Sequence, residues 1–163
     1  MKTKKIALWG LSIALSMILS FIESQIPAFV AIPGVKIGLP NIVIVFLLYR
    51  FSWKEASIVS LVRVILMGLI FGPTTIIYSL CGASLSLAGM ILLKKLNLFS
   101  CVAVSVVGGV LHNIGQILVA IFITETAELI YHLPVLLLSG TFAGVVIGII
   151  SGILVKKLSN VKL

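Results

Sequence analysis

The chain has 163 residues, of which 61% are hydrophobic and only 10% charged, and its mean hydropathy is +1.33. A net charge of +8 would point a soluble chain towards nucleic acid, but here the lysines stand at the ends of apolar runs, which is the pattern of a membrane protein and not of a nucleic-acid binder. There is no aspartate, the carboxylates are Glu23, Glu55, Glu125 and Glu128, and no GxxxxGK[ST], GxSxG or HExxH run occurs. P-loop ATP hydrolysis and magnesium chemistry on a carboxylate cluster are therefore excluded, and no catalytic residue, metal or cofactor is expected.

A helix needs about 20 apolar residues to cross the hydrocarbon core. Six candidate spans follow: Ile6–Ile22, Ile37–Phe51, Ala56–Phe71, Pro73–Leu93, Phe99–Ile123 and Leu133–Val155. The first begins like a signal peptide, but cleavage after Ala31 would put Phe29 where a small residue is required, so it is kept as a span. Ala7, Gly10 and Ala14 form a small face along it, suited to a partner subunit or to a neighbouring helix. The second span is short and opens on Gly38-Leu39-Pro40, with the proline expected in the first helical turn. Breaks are expected at the Arg50–Lys54 turn and at Gly72-Pro73. In the sixth span Gly140, Gly144, Gly148 and Gly152 recur every four residues, a stripe for close helix packing, expected inside the chain's own bundle. Cys81 and Cys101 read as small buried side chains.

The basic residues set the expected topology. With the N-terminus inside, Lys2, Lys4, Lys5, Arg50, Lys54, Lys94, Lys95, Lys156, Lys157 and Lys162 fall at cytoplasmic ends, and Lys36 alone falls outside, with Glu23, Glu125, Glu128 and His132. That bias requires an even number of spans and both termini in the cytoplasm. The expectation is an all-α, six-helix membrane bundle, one domain over residues 1–163, in the bacterial inner (plasma) membrane.

Arg63 lies near the middle of the apolar stretch Ile58–Phe71. A guanidinium at bilayer depth costs roughly 3 kcal/mol or more, so it faces a protein interior, a partner or a ligand. His112 lies at a similar depth in the fifth span; Gln116 is one turn further out on the same face, and Asn113 is turned by about 100°. Asn41 stands near the outer start of the second span and Tyr78 near that of the fourth, while Lys36 and Glu23 guard the outer ends of the first two. This set describes a cavity open to the outside. Arg63 would pair a carboxylate or phosphate, His112, Asn113, Gln116 and Asn41 would orient polar ligand atoms, Tyr78 would add a ring or hydroxyl, and Lys36 would belong to a lid. The alternative is that the amides and imidazole act as interhelical glue, with Arg63 paired to Glu23.

Four runs carry a resemblance: Gly34-Val-Lys36-Ile-Gly38-Leu-Pro-Asn41, Gly72-Pro-Thr-Thr, Ser79-Leu-Cys-Gly82-Ala-Ser-Leu-Ser86 and, most specific, Gly108-Gly-Val-Leu-His112-Asn113-Ile-Gly115-Gln116. Over nearly its whole length the chain resembles the Gx transporter family, also described as heptaprenyl diphosphate synthase component I. Pro40 and Cys81 depart from it, replacing residues expected to be small or apolar. That family is in turn similar to the S components of energy-coupling factor (ECF) transporters. The resemblance implies a non-catalytic subunit that captures a small anionic metabolite or vitamin-like precursor. It also implies work with a transmembrane coupling subunit and ATP-binding cassette proteins, and contact with the coupling subunit through Ala7, Gly10 and Ala14. The family's second description implies a different role, a non-catalytic membrane accessory of heptaprenyl diphosphate synthesis, because the aspartate-rich motifs of known prenyl synthases are missing from this chain.

Overall fold

The computed structural model describes residues 2–25 and 38–160; Lys36 and Lys162 lie outside the described residues. Within them the chain is all-helical: α1 Lys2–Gln25, α2 Asn41–Arg50, α3 Trp53–Phe71, α4 Pro73–Leu96, α5 Cys101–Thr124 and α6 Leu133–Lys157, with a short 3-10 helix, Ala127–His132, before α6. Four of the helices are long and apolar enough to cross a membrane, and large side chains such as Leu69, Phe122, Leu138 and Phe142 point outward. This is a membrane protein.

The helix ends follow local chemistry. Ser52 caps α3, its Oγ accepting from Lys54 N at 3.2 Å while its hydroxyl donates to Glu55. That hydroxyl, with Lys5 nearby, holds the Glu55 carboxyl below its ordinary range. Gly72 separates α3 from α4 at φ +106°, a conformation open to glycine, and Pro73 starts α4 without needing a donor. Ser100 caps α5 through Ala103 N at 3.2 Å.

The second expected span needs correction. It is a helix of 10 residues, about 15 Å long, against a hydrocarbon core of about 30 Å. Its start is displaced: Gly38 turns at φ +78° and Pro40 stands at the N-cap, so the proline precedes the first helical turn. α2 is the centre of the bundle and not a wall of it. Val43, Ile44, Val45, Leu47 and Leu48 are all at most 4% exposed, and a helix apolar on every side belongs inside.

Short contacts give the relative directions. Lys5 Nζ lies 3.8 Å from Glu55, and Arg63 Nη1 donates to Ser20 Oγ at 3.4 Å, so α1 and α3 run the same way. Ser151 Oγ donates to Ile42 O at 3.2 Å and Arg50 Nη2 to Ser159 O at 2.9 Å, so α2 and α6 also run together. α4 runs against α3 and α5, with Gly68 facing Ile76 and Gly115 facing Gly82. α6 runs against α5, Gly140 lying on Gly109 and Gly148 on Val102. Lys5, Arg50, Lys54, Lys94, Lys95, Lys156 and Lys157 therefore gather at one end of the bundle, and Lys94 donates to the last turn of α2 through Leu48 O.

The glycine stripe on α6 packs within the chain. A Cβ on Gly144 would lie 2.5 Å from Val106 Cα, and one on Gly148 2.6 Å from Val102 Cα. Gly152 has room, its nearest neighbour being Cys101 Cβ at 3.9 Å. In lipid, where burying apolar surface brings little, such close backbone approach is what holds helices together. Gly144→Ala should therefore destabilise the bundle by about 1–3 kcal/mol, because backbone cannot yield as a side chain can. Gly152→Ala should leave thermal stability in detergent unchanged or slightly higher, and equal losses at the two positions would contradict this packing.

Candidate functional site

At the end of the bundle opposite the lysines lies a cavity of about 350 Å³. Ser20, Glu23 and Ser24 come to it from the end of α1, Gly38, Pro40 and Asn41 from the approach to α2, and Arg63, Val64, Met67 and Phe71 from α3. Thr75 and Ser79 come from the start of α4, Gly109, His112, Asn113 and Gln116 from α5, and Gly140, Ala143 and Ile147 from α6. All six helices reach one chamber because α2 is short. Its N-terminus stops at half depth, and the space beyond it is left to polar side chains from the longer helices.

Arg63 is the main charge of this chamber. It is 8% exposed and donates a long hydrogen bond to Ser20 Oγ; its Nε has no hydrogen-bond partner among the described residues. Ser20 Oγ itself donates to Ser16 O at 2.9 Å, which leaves the hydroxyl oxygen to accept from the guanidinium. Ser12, Ser16 and Ser20 form a buried stripe at four-residue spacing, so α1 turns hydroxyls inward and lets the guanidinium lie against it. Glu23, one turn beyond Ser20 on the same face, is within electrostatic range of Arg63 and accepts a hydrogen bond from Gly38 N.

The α5 side chains divide between packing and cavity. Asn113 is buried and donates from Nδ2 to Leu136 O at 2.7 Å, tying α5 to α6. Gln116 is half-buried, and its Oε1 has no partner among the described residues. His112 is half-buried on the same face, with its ring and backbone against Gly82, a glycine that admits α5 to α4. Arg63 Nε–H and the Gln116 amide oxygen, on two residues that line one chamber, thus lack partners among the described residues, and a buried polar atom left so costs about 1–3 kcal/mol. A ligand offering an acceptor to Arg63 and a donor to Gln116 would relieve both.

Arg63, His112, Asn113, Gln116 and Asn41 all line the cavity. Tyr78 is not among the lining residues; Thr75 and Ser79 take that place on α4. Lys36 lies outside the described residues. Glu23, expected as a guard at the rim, is part of the lining, and Ser20, Thr75 and Ser79 were not anticipated. On α4 the signal was a spacing: Thr75, Ser79, Gly82 and Ser86 recur at helical intervals and mark the inward face, which puts Tyr78 about 70° off its centre. Ala7, Gly10 and Ala14 are all exposed, and a Cβ on Gly10 would meet nothing within 4 Å. Among the described residues no three His, Cys, Asp or Glu side chains come together as a metal site would require.

Neither the curated proteins nor the solved structures offer a match to this chain. Residues 11–154 match the family described as heptaprenyl diphosphate synthase component I, a stretch that contains every residue lining the cavity. The chain belongs to the heptaprenyl diphosphate synthase component I family.

Proposed function

We propose that this chain is the substrate-binding membrane subunit of an ECF-type transporter, holding a small anionic metabolite or vitamin-like precursor in the Arg63 cavity. One observation carries the reading: a buried guanidinium with a free Nε faces a chamber of about 350 Å³, a volume at the lower end of small-molecule sites. Arg63 supplies the charge, and Asn41, His112 and Gln116 orient the ligand's polar atoms. The exposed Ala7, Gly10 and Ala14 give a coupling subunit a surface on which helices can approach closely, in keeping with the resemblance to S components. The chain does no chemistry in this scheme; ATP-binding cassette partners supply the energy.

In the same reading the lysine-rich end faces the cytoplasm of a plasma-membrane protein and the cavity faces out, with six helices embedded and both termini inside. Cysteine scanning against a membrane-impermeant maleimide tests this, in a background without Cys81 and Cys101. Ala127→Cys should label in intact cells and Leu98→Cys only after permeabilisation. The reverse pattern would invert the cavity and end the capture reading.

The family's description favours a second reading, a non-catalytic membrane subunit of polyprenyl diphosphate synthesis with a soluble synthase as its partner. The two separate on what accompanies the tagged chain from its native membrane in mild detergent, read by mass spectrometry. Capture predicts a coupling subunit, two ATP-binding cassette proteins and a small metabolite, with the metabolite lost in Arg63→Ala while the proteins remain. Recovery of a prenyl synthase without cassette proteins would establish the second reading. Metabolite retention within about twofold in Arg63→Ala would make Arg63 structural, since an anion losing its guanidinium partner in a desolvated site loses far more than that.

A further inference from the structure

The charge balance of the cavity narrows what it can hold. Among the described lining residues the side chains with full formal charges are Arg63 and Glu23, one of each sign, with His112 as the remaining titratable group. The two lie close. Arg63 Nη1 reaches Ser20 at 3.4 Å, and Glu23 follows Ser20 by three residues on the same helix face. Glu23 is also fixed in place, because its carboxylate accepts from Gly38 N at the turn that leads into α2. It is therefore a built element of the chamber and not a mobile surface group. The rest of the wall joins uncharged hydroxyls and amides to an apolar part made by Val64, Met67, Phe71 and Ile147.

We propose that Glu23 is the internal counter-charge of Arg63 and sets the cavity's selectivity: it admits amphipathic monoanions and rejects di- and triphosphates. The proposal rests on the reading of this cavity as a ligand site. A monocarboxylate can accept from the free Arg63 Nε, offer a hydroxyl or N–H to Gln116 Oε1 and lay an apolar body on Met67 and Phe71. A diphosphate would bring several negative charges to a single guanidinium whose field Glu23 already offsets, and among the described residues the excess would find no cation. The chamber is also too small to enclose a heptaprenyl chain, which far exceeds a drug-sized ligand. Glu23 thus acts against the wrong ligand as much as for the right one.

The test uses the full chain in lipid nanodiscs at about pH 8, where a carboxylate of ordinary pKa is fully ionised and a phenol is not. Two probes are titrated calorimetrically, para-hydroxybenzoate as an amphipathic monoanion and inorganic pyrophosphate as a compact polyanion. Wild type should bind the monoanion at least about tenfold more tightly, and Glu23→Gln should move that ratio about tenfold or more towards pyrophosphate. Glutamine keeps an oxygen for Gly38 N, so the turn is retained, and an unchanged melting temperature checks it. Arg63→Gln should weaken both probes. If Arg63→Gln weakens binding while Glu23→Gln leaves the ratio unaltered, the ligand site stands and the role of Glu23 falls. If Arg63→Gln changes nothing, or neither probe binds any variant, both the site and the proposal are overturned. Wild-type preference for pyrophosphate would also overturn the proposal.

Discussion

A guanidinium held inside a bundle that lipid surrounds has to be answered by protein groups or by a ligand, because hydrocarbon offers no acceptor. In this chain that constraint falls on Arg63, and much of the surrounding structure reads as a response to it. α1 contributes a stripe of serines in place of large apolar residues, and α3 turns Arg63 towards it. Glu23 stands within electrostatic range, pinned to the turn before α2. Still the response is incomplete, since Nε is left without a protein partner among the described residues. Under the proposed reading, that remaining hydrogen-bonding capacity is left for a ligand.

The chamber exists because of how the helices are apportioned. α2 is apolar on all sides and short, so it fills the lysine-rich half of the bundle as core and ends where the cavity begins. α4, α5 and α6 are drawn together by glycines on both flanks of α5: Gly108 and Gly115 towards α4, Gly109 towards α6. Such packing is rigid, because backbone meets backbone. α1 differs. Its outward face is exposed along Ala7, Gly10 and Ala14, and it is attached by Ile13 and Leu19 packed on the core and by three polar contacts, Lys5 to Glu55, Ser20 to Arg63 and Glu23 to Gly38. The bundle thus combines a tightly packed part, which carries His112, Asn113 and Gln116, with a more loosely joined helix, which carries Glu23.

Much of this could be read from the residues. The breaks at Arg50–Lys54 and Gly72-Pro73 are chemical punctuation, and the structure divides the chain there. The depth of Arg63, His112 and Gln116 along their helices was legible because depth is sequence position times a fixed rise. Rotation about the helix axis was harder. Tyr78 lies at the right height, but the lining falls to Thr75 and Ser79, and the row of small residues along α4 is the cue that separates them. α2 was misjudged for a physical reason: a continuous apolar run satisfies a hydropathy rule whether lipid or protein surrounds it, and only its length distinguishes the cases. Lys36, expected in a lid, lies outside the described residues.

The most direct measurement is an electron cryo-microscopy structure of the chain purified in mild detergent from its native membrane, with whatever it retains. The account predicts density in the chamber within about 2.7–3.2 Å of both Arg63 Nε and Gln116 Oε1, with an apolar part against Met67 and Phe71. A cavity closed by its own side chains, with Arg63 and Glu23 in a direct two-bond pair and Gln116 bonded to a neighbouring helix, would contradict it.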